Sequence, residues 1–195
     1  MFNTDKPYNE LPLLPPKIKL TATVFSKVVA AHRALAELKG LAESIPDQTI
    51  ILNSLILKEA KDSSGIENII TTQDELYKAF SAEKVEDPAI KEILMYKEAL
   101  WGGYELLKKR KFITTREIIK IQEILIGNNT GIRKQPGTTL KNAKTGETIY
   151  TPPYGPGVID EKMKNLEEFI NTDNDEIDPL IKMAIDIIPN KGLRA

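Results

Sequence analysis

The sequence predicts an all-α fold carrying one β-hairpin. Two observations point to it. Apolar residues recur three and four apart through most of the 195 residues, the period of an amphipathic helix. Residues that start helices (Asp-Pro pairs, and Thr followed three positions later by Glu) stand ahead of these runs, and a single stretch crowded with glycine and proline interrupts them.

The elements follow in order. Pro7, Pro12, Pro15 and Pro16 make the first 17 residues an extended arm, with Leu11, Leu13 and Leu14 available to dock it on the body. A helix is expected from about Ala22 to Lys39, where Val24, Val28, Ala31, Leu35 and Leu38 form one stripe and Gly40 is placed to end it. Ser44-Ile-Pro46 restarts the chain, with proline in a first helical turn, and the run to about Lys61 is apolar nearly all round. Ile50, Ile51, Leu52, Leu55, Ile56 and Leu57 make this helix the expected buried centre of the N-terminal half.

Thr72 to Glu75 reads as a capping box, and Asp87-Pro88 opens a long helix that Lys108 to Lys111 closes. Ile93, Leu100, Tyr104 and Leu107 are its main stripe. Thr114 to Glu117 is a second capping box, for a helix ending at Gly127. In the glycine- and proline-rich stretch that follows, Thr138 to Asn142 and Glu147 to Thr151 read as a hairpin. Asp160 then caps a helix with Met163, Leu166, Phe169 and Ile170 inward. Asp178-Pro179 opens a last one, with Ile181, Ile185 and Ile188 inward and Pro189 breaking it.

Composition excludes several function classes. Charge is balanced, 27 basic against 28 acidic residues, so no electrostatic case exists for nucleic acid or a membrane surface. Cysteine is absent, which removes disulfides, thiolate nucleophiles and Cys-based zinc sites. The N-terminus is not a signal peptide and no apolar run approaches the ~18 residues of a span, so a cytoplasmic protein is expected. The single histidine, His32, lies beside the apolar stripe and reads as a partly buried structural residue. Asp173, Asp175, Glu176 and Asp178 do not fit an EF-hand loop and read as a solvated linker. Thr114 to Leu125 is not read as part of a helix-turn-helix, given the neutral charge. No catalytic residue set, no phosphate loop and no metal site can be assembled.

The segment Lys58 to Thr72, KEAKDSSGIENIITT, places Ser63 and Glu67 one turn apart on a helix, with Asn68 beside the carboxylate. On physics alone this is a solvated helix end, and Gly65 within it costs ~1 kcal/mol against alanine. Ser63-x-x-x-Glu67-Asn68 also matches the S/T-x-x-x-E-G/N pattern of the inhibitory helix in Fic-family proteins, in the class where that helix precedes the catalytic core. Other matches occur in the same order. YNELPLLPP, ALAELKGLAESIP and SSGIENIITTQDELYKAF resemble the Fic N-terminal domain. GIRKQPGTTLKNAKTGETIYTPP resembles the segment holding the family's target-docking flap, and DPLIKMAI the helix leading to the catalytic loop. Together they cover about residues 8 to 185.

The resemblance implies a Fic-like helical bundle with a β-hairpin flap, incomplete at its C-terminus. Residues 1–86 would form the N-terminal domain with its inhibitory helix, and 87–195 the first part of the catalytic core. Family members continue into H-P-F-x-x-G-N-G-R, whose histidine is the general base and whose arginine holds ATP phosphates. Here DIIPNKGLRA follows instead, which reads as a truncated or frameshifted gene. Fic enzymes transfer AMP from ATP, with Mg²⁺, to a Ser, Thr or Tyr hydroxyl of a target protein. By resemblance, Thr138, Thr139, Leu140 and Lys141 are the flap edge that pairs with a target's backbone; the alternative is an ordinary surface hairpin. Glu67 would occupy the γ-phosphate position on the motif arginine, with Ser63 tethering the helix and Asn68 setting the carboxylate. Neither ATP nor Mg²⁺ is expected to bind productively here.

Three readings are carried forward. The chain is a remnant of an adenylyltransferase, inactive alone. It is an antitoxin-like regulator that presents Glu67 to another Fic protein. Or it is a helical interaction module, a homo-oligomer formed through Ile181, Ile185 and Ile188.

Overall fold

The structure, a computed structural model, describes residues 3–17, 19–66, 71–80, 85–142, 144–173 and 177–190. Its elements are α1 (Ala22–Ala42), α2 (Gln48–Ile66), α3 (Gln73–Phe80), α4 (Pro88–Arg110), α5 (Thr115–Ile126), β1 (Leu140–Lys141), β2 (Thr148–Tyr150), α6 (Val158–Asn171) and α7 (Pro179–Asn190). The fold is mostly helical with one small antiparallel pair of strands, as the helical periodicity predicts. The chain separates into two compact units, Leu35–Gly131 and Met1–Ala34 with Ile132–Ala195. The sequence boundary between 86 and 87 falls at the start of α4, within the first of these.

In the unit Leu35–Gly131, Leu57 and Ala60 of α2, Leu76 of α3, and Ile90 and Ile93 of α4 make the core. Burying such side chains contributes ~1.5–3 kcal/mol each for the larger ones, the main favourable term in the unit. The expectation that α2 is buried all round is corrected. Leu57, Ala60 and Ser64, spaced three and four apart, face inward, whereas Leu55 is 55% exposed and Ile51 is exposed as well. One helix face is all that α4 and α3 cover.

Helix ends show which local signals were sufficient. Asp87 caps α4 as expected, its Oδ1 accepting from the Ala89 and Ile90 amides at 2.8 and 3.4 Å, with Pro88 in the first turn. The Thr72 box also forms: Glu75 accepts from the Thr72 amide at 2.8 Å, and the Thr72 hydroxyl accepts from the Glu75 amide at 3.3 Å. The Thr114 box does not. There the Thr114 hydroxyl donates to the Glu117 carboxylate, which is buried with Arg110 Nη1 at 3.1 Å from its other oxygen. The Thr72 hydroxyl both donates to its glutamate and accepts an amide, whereas the Thr114 hydroxyl makes no cap hydrogen bond. The donation from Thr114, with Arg110 second, holds the Glu117 carboxyl below the usual range against the opposing effect of burial.

Four further boundaries move. Gly40 does not stop α1, which runs to Ala42; nothing crowds the Gly40 position, and a helical glycine is merely less favourable. The Ser44 hydroxyl donates back to the Leu41 carbonyl at 2.6 Å, so Ser44 closes α1. Asp47 opens α2 by accepting from the Thr49 amide at 2.9 Å, leaving Pro46 outside. Helix α6 begins at Val158 after Gly157 (φ 74°), so Asp160 sits in its first turn without capping it. Helix α7 runs to Asn190, past Pro189; a proline in the last turn removes one backbone hydrogen bond without preventing a further helical residue.

Gly102 and Gly103 seat α5 on α4. A Cβ at these positions would lie 3.0 Å from Ile124 Cδ1 and 3.1 Å from Ile121 Cδ1. Two mid-helix glycines cost ~1 kcal/mol each against alanine, and the close approach of α5 offsets this.

In the other unit, Phe169, Ile181 and Ile185 form the core, with Leu14, Val28 and Ile177 packed on it. Ile181 and Ile185 are thus covered, and they do not supply the bare surface expected for self-association; the Ile188 side chain lies outside the described residues. The arm docks as anticipated, but by a polar clasp as much as by leucine. Asn165 Oδ1 accepts from the Leu14 amide at 2.6 Å, and Asn165 Nδ2 donates to the Leu14 carbonyl at 3.0 Å. Leu13 stays exposed.

The reading of His32 as partly buried is also corrected. It is half-exposed, and its Nε2 lies 2.7 Å from Asp178 Oδ2. Asp178 is therefore no solvated linker residue: its Oδ1 accepts from the Leu180 amide at 2.9 Å, capping α7, while Oδ2 meets His32. Asp173 is exposed, as expected, and Asp175 and Glu176 lie outside the described residues. The His32 hydrogen bond chiefly lowers the Asp178 pKa.

Two predictions follow from these contacts. Asn165→Ala leaves both polar groups of the Leu14 backbone without their partner and is expected to destabilise the protein by ~1–3 kcal/mol in urea unfolding, Asn165→Asp by less. A carboxyl with a depressed folded pKa stabilises above its unfolded value and loses that effect as pH falls through the folded one. Asp178→Asn keeps a helix cap but loses the charge, so its urea midpoint should fall below that of the parent from ~pH 5 upward, and the two should converge in acid.

Candidate functional site

Two regions answer to the sequence expectations: the end of α2 and the hairpin. Helix α2 continues through Ile66, so Ser63 is helical, as the pairing of Ser63 with Glu67 requires. Ser63 is half-buried. Its neighbour Ser64, which sequence reasoning passed over, is buried at 5% exposure on the face of Leu57 and Ala60. Its position seven residues after Leu57 was the available signal. Glu67 and Asn68 lie outside the described residues. Further along the sequence stands the Thr72–Glu75 box, where the Thr71 and Thr72 hydroxyls also donate to Glu75 at 3.1 and 2.7 Å. These bonds, the Thr72 amide first, pull the Glu75 carboxyl below its ordinary value.

The hairpin pairs β1 with β2 antiparallel, Leu140 opposite Tyr150 and Lys141 opposite Thr148, with a register irregularity between Leu140 and Lys141. Both strands are shorter than the sequence segments, because the irregularity limits regular pairing. At the tip, Asn142 Oδ1 accepts from the Lys144 and Thr145 amides at 2.9 and 3.3 Å, and the Asn142 amide donates to the Glu147 carbonyl at 2.8 Å. Asn142 thereby makes the turn through its side chain. Among the described residues no further strand lies beside β1. Thr139, Leu140 and Lys141 are exposed along it, and Thr138 is half-buried.

The root of the hairpin is immobilised from several sides. Thr151, Pro152 and Pro153 are buried. Arg133 Nη2 donates to the Pro153 carbonyl at 2.8 Å. From the arm, the Tyr8 amide donates to the Thr151 carbonyl at 3.0 Å, and Asn9 Oδ1 accepts from the Tyr154 amide at 2.9 Å. The Thr151 hydroxyl donates to the Thr4 carbonyl at 2.5 Å. Tyr8 meets Tyr150 edge-on, centroids 6.4 Å apart, and burial raises the Tyr150 pKa. Arg133, Tyr8 and Asn9 were not singled out by sequence reasoning. Only the arginine carried a signal, the sole guanidinium in the glycine- and proline-rich stretch.

Two concave surfaces among the described residues can be set against what a nucleoside triphosphate with Mg²⁺ needs. Pro7, Arg133, Gly137, Thr138, Thr151 and Tyr154 help line a cavity of about 50 Å³, far below the ~300 Å³ of a small-ligand pocket. The open groove of α4 and α5 carries Lys109 and Lys120 but also Glu105 and Glu123, and so has no net charge for phosphates. Among the described residues no group of three or more His, Asp or Glu is placed to hold a metal. Lys97 of α4 is buried, and desolvation lowers its pKa. No helix among the described residues is long and apolar enough to cross a membrane.

Comparison with known families gives one match: residues 25–105 fit the model described as Fic/DOC family N-terminal. The match runs from α1 through α2 and α3 into α4, and so includes the turn that carries Ser63.

Arg133→Ala removes the donor to a buried carbonyl. It is expected to cost ~1–3 kcal/mol and to speed amide exchange in residues 148–153 while leaving α4 and α5 unchanged in the same exchange experiment.

Proposed function

We propose that this chain, whose residues 25–105 match the Fic/DOC family N-terminal model, is the regulatory and target-docking part of a protein adenylyltransferase and transfers no AMP by itself. The observation that carries this reading is the family match across α2, on which Ser63 is helical, with Glu67 and Asn68 following it in the sequence. In the family reaction ATP with Mg²⁺ supplies the AMP, and the acceptor is a hydroxyl of a target protein.

The roles divide among this chain's residues. Glu67 is the brake: a carboxylate that takes an arginine of the nucleotide site in a bidentate pair displaces the phosphate that would otherwise sit there. A preference of ~3 kcal/mol for the braked state leaves less than about 1% of molecules competent. Ser63 fixes the turn that carries the brake, and Asn68 positions the carboxylate. The hairpin is the docking edge: Thr138, Thr139, Leu140 and Lys141 offer backbone groups to an extended target segment, which an edge strand reads with little regard to side chain. A firmly held root with an open edge supports that role, since an edge must keep its place to position an acceptor. The general base is the missing part. The one histidine of the sequence, His32, is engaged with Asp178, and among the described residues no metal-holding group of His, Asp and Glu comes together.

Incubation with labelled ATP, Mg²⁺ and a cell lysate tests the proposal. Neither the parent chain nor Glu67→Gly should label any protein above a heat-denatured control, because releasing a brake adds no base. Labelling by either one overturns it.

A further inference from the structure

The cavity of about 50 Å³ beside the hairpin lies at one end of the edge assigned to target docking. Thr138 belongs to both, as the first residue of the edge and as part of the cavity wall. Every lining residue falls within the unit Met1–Ala34 with Ile132–Ala195. Thr151 and Pro152 are buried, whereas Pro7, Gln135 and Pro136 are exposed, so the cavity opens to solvent on one side.

The chemistry of the wall selects one kind of occupant. Among the lining residues Arg133 alone carries a formal charge. Its Nη2 donates to the Pro153 carbonyl at 2.8 Å, a contact that fixes the guanidinium without neutralising it. Gln135, Thr138 and Tyr154 add an amide and two hydroxyls, groups able to donate to an anion. The surrounding chain repeats the sign: residues 131–146 hold Arg133, Lys134, Lys141 and Lys144 and no acidic residue. Size sets the second limit. A water-sized group needs ~10–15 Å³, so the cavity admits about four non-hydrogen atoms, the number in a methylene with its carboxylate.

We propose, on the reading of residues 138–141 as a docking edge, that this cavity is a side-chain subsite of that edge and takes an acidic side chain of the docked segment onto Arg133. Strand pairing alone reads backbone, and pockets beside the edge are what make one target sequence preferred over another. Side chains of a paired strand alternate between its faces, so one position of the docked segment, at the Thr138 end, meets the cavity. A guanidinium held in place before binding loses little freedom on pairing with a carboxylate. The pair, half-buried, is less screened by salt than one in open solvent.

Peptide binding to the intact chain tests the proposal, read by fluorescence polarisation at about 0.15 M salt. End-capped nonapeptides of serine, threonine and valine carry one aspartate, moved through each position in turn, with asparagine at the same position as control. At one position aspartate should bind ~tenfold tighter than asparagine, and at the others about equally. Arg133→Ala also loosens the hairpin root, so the diagnostic variant is Gln135→Glu, at an exposed position where a new carboxylate competes for Arg133. It should remove the aspartate preference and leave the asparagine peptides and the circular dichroism unchanged. Peptides that bind with no aspartate preference at any position overturn the subsite and leave the edge standing. A preference equal at all positions, or one that survives Gln135→Glu, overturns the subsite too, as a diffuse attraction to the lysines. Binding by no peptide overturns the edge itself, and the subsite with it.

Discussion

The unit that carries the hairpin depends on a side-chain amide that stands in for a strand. The proline-rich arm cannot form a helix, and proline removes donors from it, so its remaining backbone groups need partners elsewhere when they leave water. Asn165 supplies a donor and an acceptor to one residue, Leu14, in the geometry that a neighbouring strand would give. With that residue held, its side chain reaches Phe169, Ile181 and Ile185, and the stretch before it lies along Thr151 to Tyr154. Core, arm and hairpin root are thus consequences of one clasp. Leucine alone would give attachment without register, because apolar contact has no direction.

This clasp also sets the division of labour within the hairpin. The root is surrounded by the arm, by Arg133 and by its own buried prolines, whereas the edge of β1 is open among the described residues. A recognition edge on a loose hairpin would lose ordering entropy each time it bound. Fixing the root in advance reduces that loss while leaving the backbone groups of residues 138–141 available.

What the sequence made legible was local. The helical periodicity, the Asp87-Pro88 start, the Thr72 box, the hairpin and the helical turn with Ser63 are each set by residues within a few positions of one another, and the fold respects them. The failures came where a distant or charged group outcompeted a local rule. Thr114 has the same spacing to a glutamate as Thr72, but Arg110 and burial turn that glutamate into an ion-pair member. His32 read as partly buried beside the apolar stripe, but Asp178, far along the chain, takes its ring nitrogen at a half-exposed position. The apolar run of α2 says that some face is buried, not which one, and only the arrival of α4 decides that Ser64 goes inside and Leu55 stays out. Asn165 and Arg133 carried little mark at all, since their partners are backbone atoms, which every residue has.

The separation between Leu14 and Asn165 has a consequence for how the molecule comes into being. A ribosome emits the arm well before its binding groove. The continuous stretch Leu35–Gly131 has all of its core residues in hand once α5 is complete, so it can condense while synthesis proceeds. The arm must wait until Asn165, 151 residues after Leu14, has emerged. Its prolines serve it during that interval: a segment short of backbone donors and unable to coil is a poor recruit for stray strands. The composition that makes the arm need a clasp also keeps it unattached until the clasp exists.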